Sequence, residues 1–399
     1  MANTSPNTSE SSSEKAVNQS QKLDLEQGLN ASQLAGQIGL LLIVLFAFLV
    51  SLNVMSGSFK LFGKGLAEEL FNITSNPFIS LFIGMLATAI IQSSSTATTI
   101  IVGLVGAGQL SVAAAAPMIM GANIGTSVTS TIVAMGHITN REEYKKAVAG
   151  ACVHDFFNII TVIILFTVET TTHMLSDAAI YLAGNFEPVS GEKSAGVLWF
   201  VKSSAKWVIA LTGKNGVISL IIGLLGLFFS LQFLSKVLKT LVIGKIENNM
   251  NRYVFQRPPV SLLVGFLSTT AVQSSSITSS LMVPLVATNK VTLRNAFPFL
   301  MGANIGTTTT ALFAALFAYD SSNPVVGAAQ AGLAIAFVHL LFNLFGVLVL
   351  FPIPKVREIP IRLAEGLGQL TLKNRLYGIA YVVVTFFLIP GLLIFLTKS

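Results

Sequence analysis

The chain has 399 residues, of which 53% are hydrophobic and 10% charged, with a formal net charge of +7. Soluble domains carry about 25% charged residues, so this composition excludes a water-soluble globular protein and predicts an all-α polytopic membrane protein. In a soluble chain the positive charge would point to nucleic acid. Here the bias of Lys and Arg towards cytoplasmic loops accounts for it, with basic clusters at 141–146, 236–245 and 355–362, and no nucleic-acid partner is expected.

Residues 1–32 are rich in Ser, Asn, Gln and Thr and read as a disordered polar tail without the pattern of a signal peptide. The unit at 33–168 holds a first membrane helix, near 36–55, and a repeat from about 64. Residues 169–246 read as an inter-repeat loop, short and without Cys over about 170–215, followed by a linker helix around 217–234. A second repeat occupies about 247–352. Residues 353–399 hold an interfacial segment near 357–372 and a last helix near 375–397. Amphipathic stretches at 60–74 and 357–372 suit the membrane interface. The total is about eight spans plus two re-entrant hairpins. Cys152 is the one cysteine, so no intrachain disulfide forms.

The chain repeats itself. GMLATAIIQSSS at 84–95 returns as GFLSTTAVQSSS at 265–276, and MGANIGT at 120–126 returns unchanged at 301–307. Both pairs, and Pro117 with Pro298, keep an offset of 181. Over the 47 positions from Gly84 to Ser130, about 20 match their partners without a gap. The offset then becomes 185, pairing His154 with His339, Phe157 with Phe342 and Asn158 with Asn343, so four extra residues fall near 320–325. Chance similarity between small-residue helices would scatter Gly and Ala matches; it would not keep three motifs collinear. Duplicated membrane units point to a secondary transporter, often with the two repeats inserted in opposite orientation around a midplane site.

The motifs Gln92-Ser93-Ser94-Ser95-Thr96 and Gln273-Ser274-Ser275-Ser276 are costly at membrane depth unless their polar groups find partners. Apolar, helix-compatible flanks predict a broken helix or re-entrant hairpin with the motif at the break. Such a break offers helix N-termini for an anion and hydroxyl and carbonyl oxygens for a hard cation. Gln92, Ser93, Ser94, Ser95, Gln273, Ser274, Ser275 and Ser276 are therefore candidate anion ligands, joined by Asn123 and Asn304 of the second motif. Ser94, Thr96, Ser275, Ser276, Thr126 and Thr307 are candidate cation ligands. The motifs hold no Arg, Lys or His, so a multiply charged anion would lean on dipoles and on co-bound cations. The glycines of the second motif also permit close helix packing. In the third motif Asp155 stands where the second half has Leu340, at what reads as the head of an apolar helix. An intramembrane carboxylate is a functional candidate. His154 and His339 suit structural hydrogen bonding rather than a metal site. There is no P-loop, paired catalytic carboxylate, zinc motif or nucleophile elbow, so no enzyme and no resident cofactor are expected.

These residues, together with Val153 to Asn158, Asn304 to Thr310, His339 to Asn343, Pro352-Ile353-Pro354 and Pro360-Ile361-Arg362, resemble the type II sodium-dependent phosphate cotransporters in bacterial form. The likeness covers roughly residues 30–398. It implies uptake of inorganic phosphate with Na⁺ as coupling ion, an inner-membrane location and both termini cytoplasmic. It also implies a site built by both Gln-Ser-Ser-Ser segments, a sodium site that includes Asn158, and electrogenic transport associated with Asp155. Two features depart from the vertebrate pattern. His137-Ile138-Thr139-Asn140 replaces a Gln-x-x-Asp beside a sodium site, and the large disulfide-bonded loop between the halves is missing. Phosphate carries about −2 when fully deprotonated at its second step; three Na⁺ would move one net charge, worth about 2.3 kcal/mol per 100 mV. A transporter of another oxyanion or a dicarboxylate, or an ion channel, remains the competing reading. Oligomeric state is open.

Overall fold

The computed structural model describes residues 31–186, 192–242, 254–318 and 328–397, and every element among them is helical. Residues 1–30 of the tail expected over 1–32 and the loop near 320–325 lie outside the described residues, while residues 31 and 32 already belong to the first helix. Seven described helices are long and apolar enough to cross a bilayer, and eight if Glu68–Thr74 and Pro77–Ile91, which meet at 102°, form one span. The chain is thus an all-α, multi-pass membrane protein. Its outer side chains fit a lipid surrounding: Ile43 is 67% exposed and Phe395 76%, a cost in water but not in hydrocarbon.

Helix α1 (Ala31–Leu61) extends beyond the expected 36–55. After α2 (Gly63–Thr74), α3 (Pro77–Ile91) starts on a Pro in its first turn, with Asn76 Oδ1 accepting the Phe78 N–H at 2.9 Å. A break separates it from α4 (Ser94–Gly106). Then come α5 (Val112–Gly125), α6 (Val128–Met135) and α7 (Arg141–Thr172). Between the repeats lie α8 (Met174–Gly184), α9 (Glu192–Leu211) and α10 (Gly216–Val242). The region read as a short loop over 170–215 therefore holds two helices. Lysines at 202 and 206 interrupt the apolar run of α9, so hydropathy alone does not reveal it.

The second repeat follows the first: α11 (Pro258–Val272), a break, α12 (Ser275–Ala287), α13 (Leu293–Ala318) and α14 (Ala328–Leu350). Where the first repeat divides α5 from α6 at Thr126–Ser127, α13 runs on without interruption. The chain closes with α15 (Pro354–Lys373), α16 (Leu376–Val383), a π-turn at Val384–Leu388 and α17 (Ile389–Thr397). Arg294 ties the start of α13 to α15 through Glu358 at 3.0 Å and Glu365 at 3.1 Å.

The equivalence of the halves extends to their packing. A Cβ on Gly84 would overlap the Met118 carbonyl oxygen, and one on Gly265 would overlap that of Phe299. Gly121 stands in the same way against Leu81, and Gly302 against Leu262. Each partner is also 181 residues on. Backbone-to-backbone contact of α3 with α5, and of α11 with α13, thus depends on small residues at matching places.

Candidate functional site: one cavity shared by both breaks

Both Gln-Ser breaks have the same backbone. Gln92 caps α3 at φ 55°, ψ 28°, and Gln273 caps α11 at φ 55°, ψ 26°. The left-handed region costs a non-glycine residue roughly 1–2 kcal/mol. Glycine would relieve that strain at both places, so the retained amide points to a use for the side chain. Ser93 and Ser274 then take extended conformations and cap the next helices. Ser93 Oγ accepts the Thr96 N–H at 3.2 Å and Ser274 Oγ that of Ile277 at 3.4 Å.

The two breaks meet. Ser95 Oγ donates to the Gln273 carbonyl at 3.4 Å. A cavity of about 460 Å³ opens between them, lined by Gln92, Ser93, Ser95 and Thr96 of one half and Gln273, Ser274 and Ser276 of the other. Two helix N-termini, those of α4 and α12, face it. Each carries roughly half a positive charge on unsatisfied N–H groups. No Lys, Arg, His, Asp or Glu lines it. The cavity therefore offers hydroxyls, amides and partial positive charge, a chemistry for an oxyanion and small hard cations rather than for bond making.

Not every candidate lines it. Ser94 and Ser275 are buried in the first helical turns behind the lining. Thr126 and Thr307 each bond back to their own helices at 3.1 Å, to the Ala122 and Ala303 carbonyls. Asn123, Asn304 and Asn158 instead form a separate buried cluster with His154, His339 and Asn343. Asn304 Nδ2 donates to Asn158 Oδ1 at 2.8 Å, and its Oδ1 meets His154 Nε2. In the mirror contact, His339 Nε2 and Asn343 Nδ2 both reach Asn123 Oδ1 at 3.3 Å. Each half thus offers its Asn to the other half's His and Asn, the reciprocity a two-fold relation produces. Asn158 also donates to the Asn123 carbonyl at 2.8 Å.

Asp155 does not head its helix. It lies well inside α7, fully buried, because α7 starts at Arg141 under an Asn140 cap, earlier than the apolar run suggests. His137 and Asn140 both engage Glu143, each at 3.0 Å, and neither lines the cavity.

The halves differ at one instructive point. Gln273 is buried and clamped: Thr310 Oγ1 donates to its Oε1 at 2.8 Å, and its Nε2 reaches the Thr270 carbonyl and Thr309. The equivalent Gln92 is exposed, and Thr129, the counterpart of Thr310, has a buried hydroxyl with no partner.

Sequence reading missed seven lining residues: Ile90, Ile91 and Ile277 beside the motifs, Thr129, and, from α10, Phe228, Leu231 and Gln232. Gln232 had a usable signal, the lone amide in the largely apolar run 217–234. The others had none.

A model of the Na+/Pi-cotransporter family matches residues 47–184 and 227–372. The human sodium-dependent phosphate transport protein 2B is 33% identical over 450 residues, covering 89% of this chain and 64% of the human protein. The 2B protein of Pongo abelii gives the same identity and coverage. The 2A protein of Rattus norvegicus is 31% identical over 432 residues, covering 89% of this chain and 67% of its own length. The chain therefore spans less than two thirds of the 2B proteins it matches. No solved structure matches it.

Proposed function

The chain belongs to the Na+/Pi-cotransporter family, and from that premise we propose that it is a secondary active transporter that carries inorganic phosphate into the cell with sodium by alternating access. The observation that carries this reading is the cavity lined by both Gln-Ser-Ser-Ser breaks, rich in hydroxyls and amides and without a basic side chain. Phosphate is held by Gln92, Ser93, Ser95, Gln273, Ser274 and Ser276. The N-termini of α4 and α12 supply a partial charge too small to balance a dianion. Sodium ions make up the difference, which couples the two substrates: an unaccompanied anion binds weakly, and an unaccompanied cation finds an incomplete oxygen shell.

Alternating access is supported by the unequal clamps. Two halves with the same motif hold their glutamines differently, one latched on Thr310 and one released from Thr129. Exchanging these conformations between repeats of opposite orientation would carry the cavity from one face to the other. Asp155 accounts for electrogenic transport: it holds the cation that exceeds phosphate neutrality. Asp155→Gly then abolishes current while leaving uptake, and undiminished current in that variant would remove the role. The protein works in the cell membrane with both termini cytoplasmic.

The deciding experiment is labelled phosphate uptake into proteoliposomes under an inward sodium gradient, with potassium as control. Accumulation above equilibrium only with sodium supports symport. Its absence in folded, inserted protein refutes it. Competition by arsenate rather than by sulfate separates phosphate from other oxyanions.

A further inference from the structure

The Asp155 carboxylate is fully buried, yet neither oxygen has a hydrogen-bond partner. A buried carboxylate left alone costs several kcal/mol, so some group must meet it during the cycle. Three polar side chains stand around it: Ser127, Cys152 and Tyr381. Ser127 is already engaged, with His154 Nδ1 at 3.2 Å and the Ile124 carbonyl at 3.4 Å. Cys152 Sγ is a soft atom, 3.9 Å from Thr131 Oγ1 and poorly suited to a hard cation. The Tyr381 hydroxyl is different. It too is buried without a partner.

Tyr381 also has a distinct origin. It lies on α16, outside both repeats. Its ring is held between Phe156, with centroids 5.8 Å apart, and Phe386 at 6.0 Å in an edge-on contact. Phe386 is fully buried and sits on the π-turn at Val384–Leu388. Such turns interrupt a helix where a side chain must be re-aimed, and they concentrate at functional sites. The second half has no such arrangement, because Leu340 takes the place of Asp155.

Two carboxylate oxygens and a phenol oxygen standing together under burial supply oxygen ligands of the kind a small hard cation takes. We propose that Tyr381 is a cation ligand supplied by the terminal helix, which joins Asp155 in holding one monovalent cation. This rests on the symport reading. It adds that affinity for this ion is set by an element outside the duplicated unit.

The test is the sodium dependence of phosphate uptake and current in proteoliposomes for wild type, Tyr381→Phe, Phe386→Met and Asp155→Gly, with monodisperse elution checked for each. Tyr381→Phe keeps the ring and its packing and removes only the oxygen. It should raise the half-saturating sodium concentration several-fold and leave the phosphate KM at saturating sodium unchanged. Phe386→Met, which disturbs packing and leaves the oxygen, should not move the sodium value. In an Asp155→Gly background, Tyr381→Phe should add nothing. An unchanged sodium dependence in Tyr381→Phe would overturn the proposal while leaving symport intact. So would a shift matched by Phe386→Met or retained without Asp155. Failure of wild type to show sodium-driven uptake would remove both.

Discussion

Removing the Thr310 hydroxyl tests whether the unequal glutamine clamps mark one of two exchangeable states. In Thr310→Val the volume is nearly kept, but Gln273 Oε1 loses the donor now 2.8 Å away. Gln273 is only 7% exposed, so water replaces that donor poorly. Leaving a buried acceptor unpaired costs about 1–3 kcal/mol. The glutamine keeps its Nε2 bonds to Thr270 and Thr309, so the loss is confined to one bond. If the other state latches Gln92 on Thr129 instead, the cost falls on this state alone. The populations then shift by roughly 5- to 150-fold, at 1.4 kcal/mol per tenfold. Thr129→Val strikes the other state and shifts them the opposite way. In this state Thr129 loses nothing, since its hydroxyl is unpartnered. Labelling by an impermeant thiol reagent of a cysteine placed at Ser93, in a Cys152→Ala background, reads the balance from each side of the membrane. The two valine variants should move it in opposite directions, and the double variant should return it towards wild type. Movement of both in one direction, or of neither, would refute the exchange.

Two further predictions concern assembly. Gly121→Ala and Gly302→Ala should each collapse the yield of monodisperse protein on size-exclusion chromatography, because the new methyl overlaps a backbone carbonyl that cannot swing aside. Gly39→Ala, with nothing within 4 Å, should be tolerated. Asn304→Ala should lower the melting temperature, since it strips His154 and Asn158 of buried partners at about 1–3 kcal/mol each.

How much of this was legible in the sequence depended on whether a signal was local. Periodic apolar runs, a twice-repeated Gln-Ser-Ser-Ser and a fixed offset of 181 exposed the helical membrane class and the break. Nothing local says which side of a break faces outward. Hence Ser94 and Ser275 could not be told from Ser95 and Ser276, although the former sit behind the cavity and the latter in or beside its wall. Asn123 and Asn304 were read beside the serines because they share the polar character of a site. The structure gives them to the His–Asn cluster, a contact between residues 150 apart such as His154 and Asn304. The burial of Asp155 was obscured because polar residues of the first α7 turns mask a helix that continues through them. Glu169 carried no signal, yet it is buried and caps α8 by accepting the Leu175 N–H at 2.7 Å.

The charge of the cavity leads to one more consequence. Two helix N-termini contribute about one positive charge between them, screened and spread over several N–H groups. Phosphate brings about two negative charges. A site with no basic residue therefore leaves roughly one charge unbalanced in a low-dielectric setting, where it is expensive. On the proposed symport, sodium bound nearby would remove that penalty, and linkage would require the benefit to be mutual. Phosphate affinity measured by equilibrium binding in detergent should then rise with sodium, and sodium affinity should rise with phosphate by the same factor. Typical couplings of 1–3 kcal/mol correspond to about 5- to 150-fold. Introducing a lysine at Gln232, on the cavity wall contributed by α10, would supply the missing charge permanently. Phosphate binding should become less dependent on sodium, and the coupling factor should shrink. A lysine variant that binds phosphate with its sodium dependence intact would mean that sodium acts by ordering the site rather than by neutralising it.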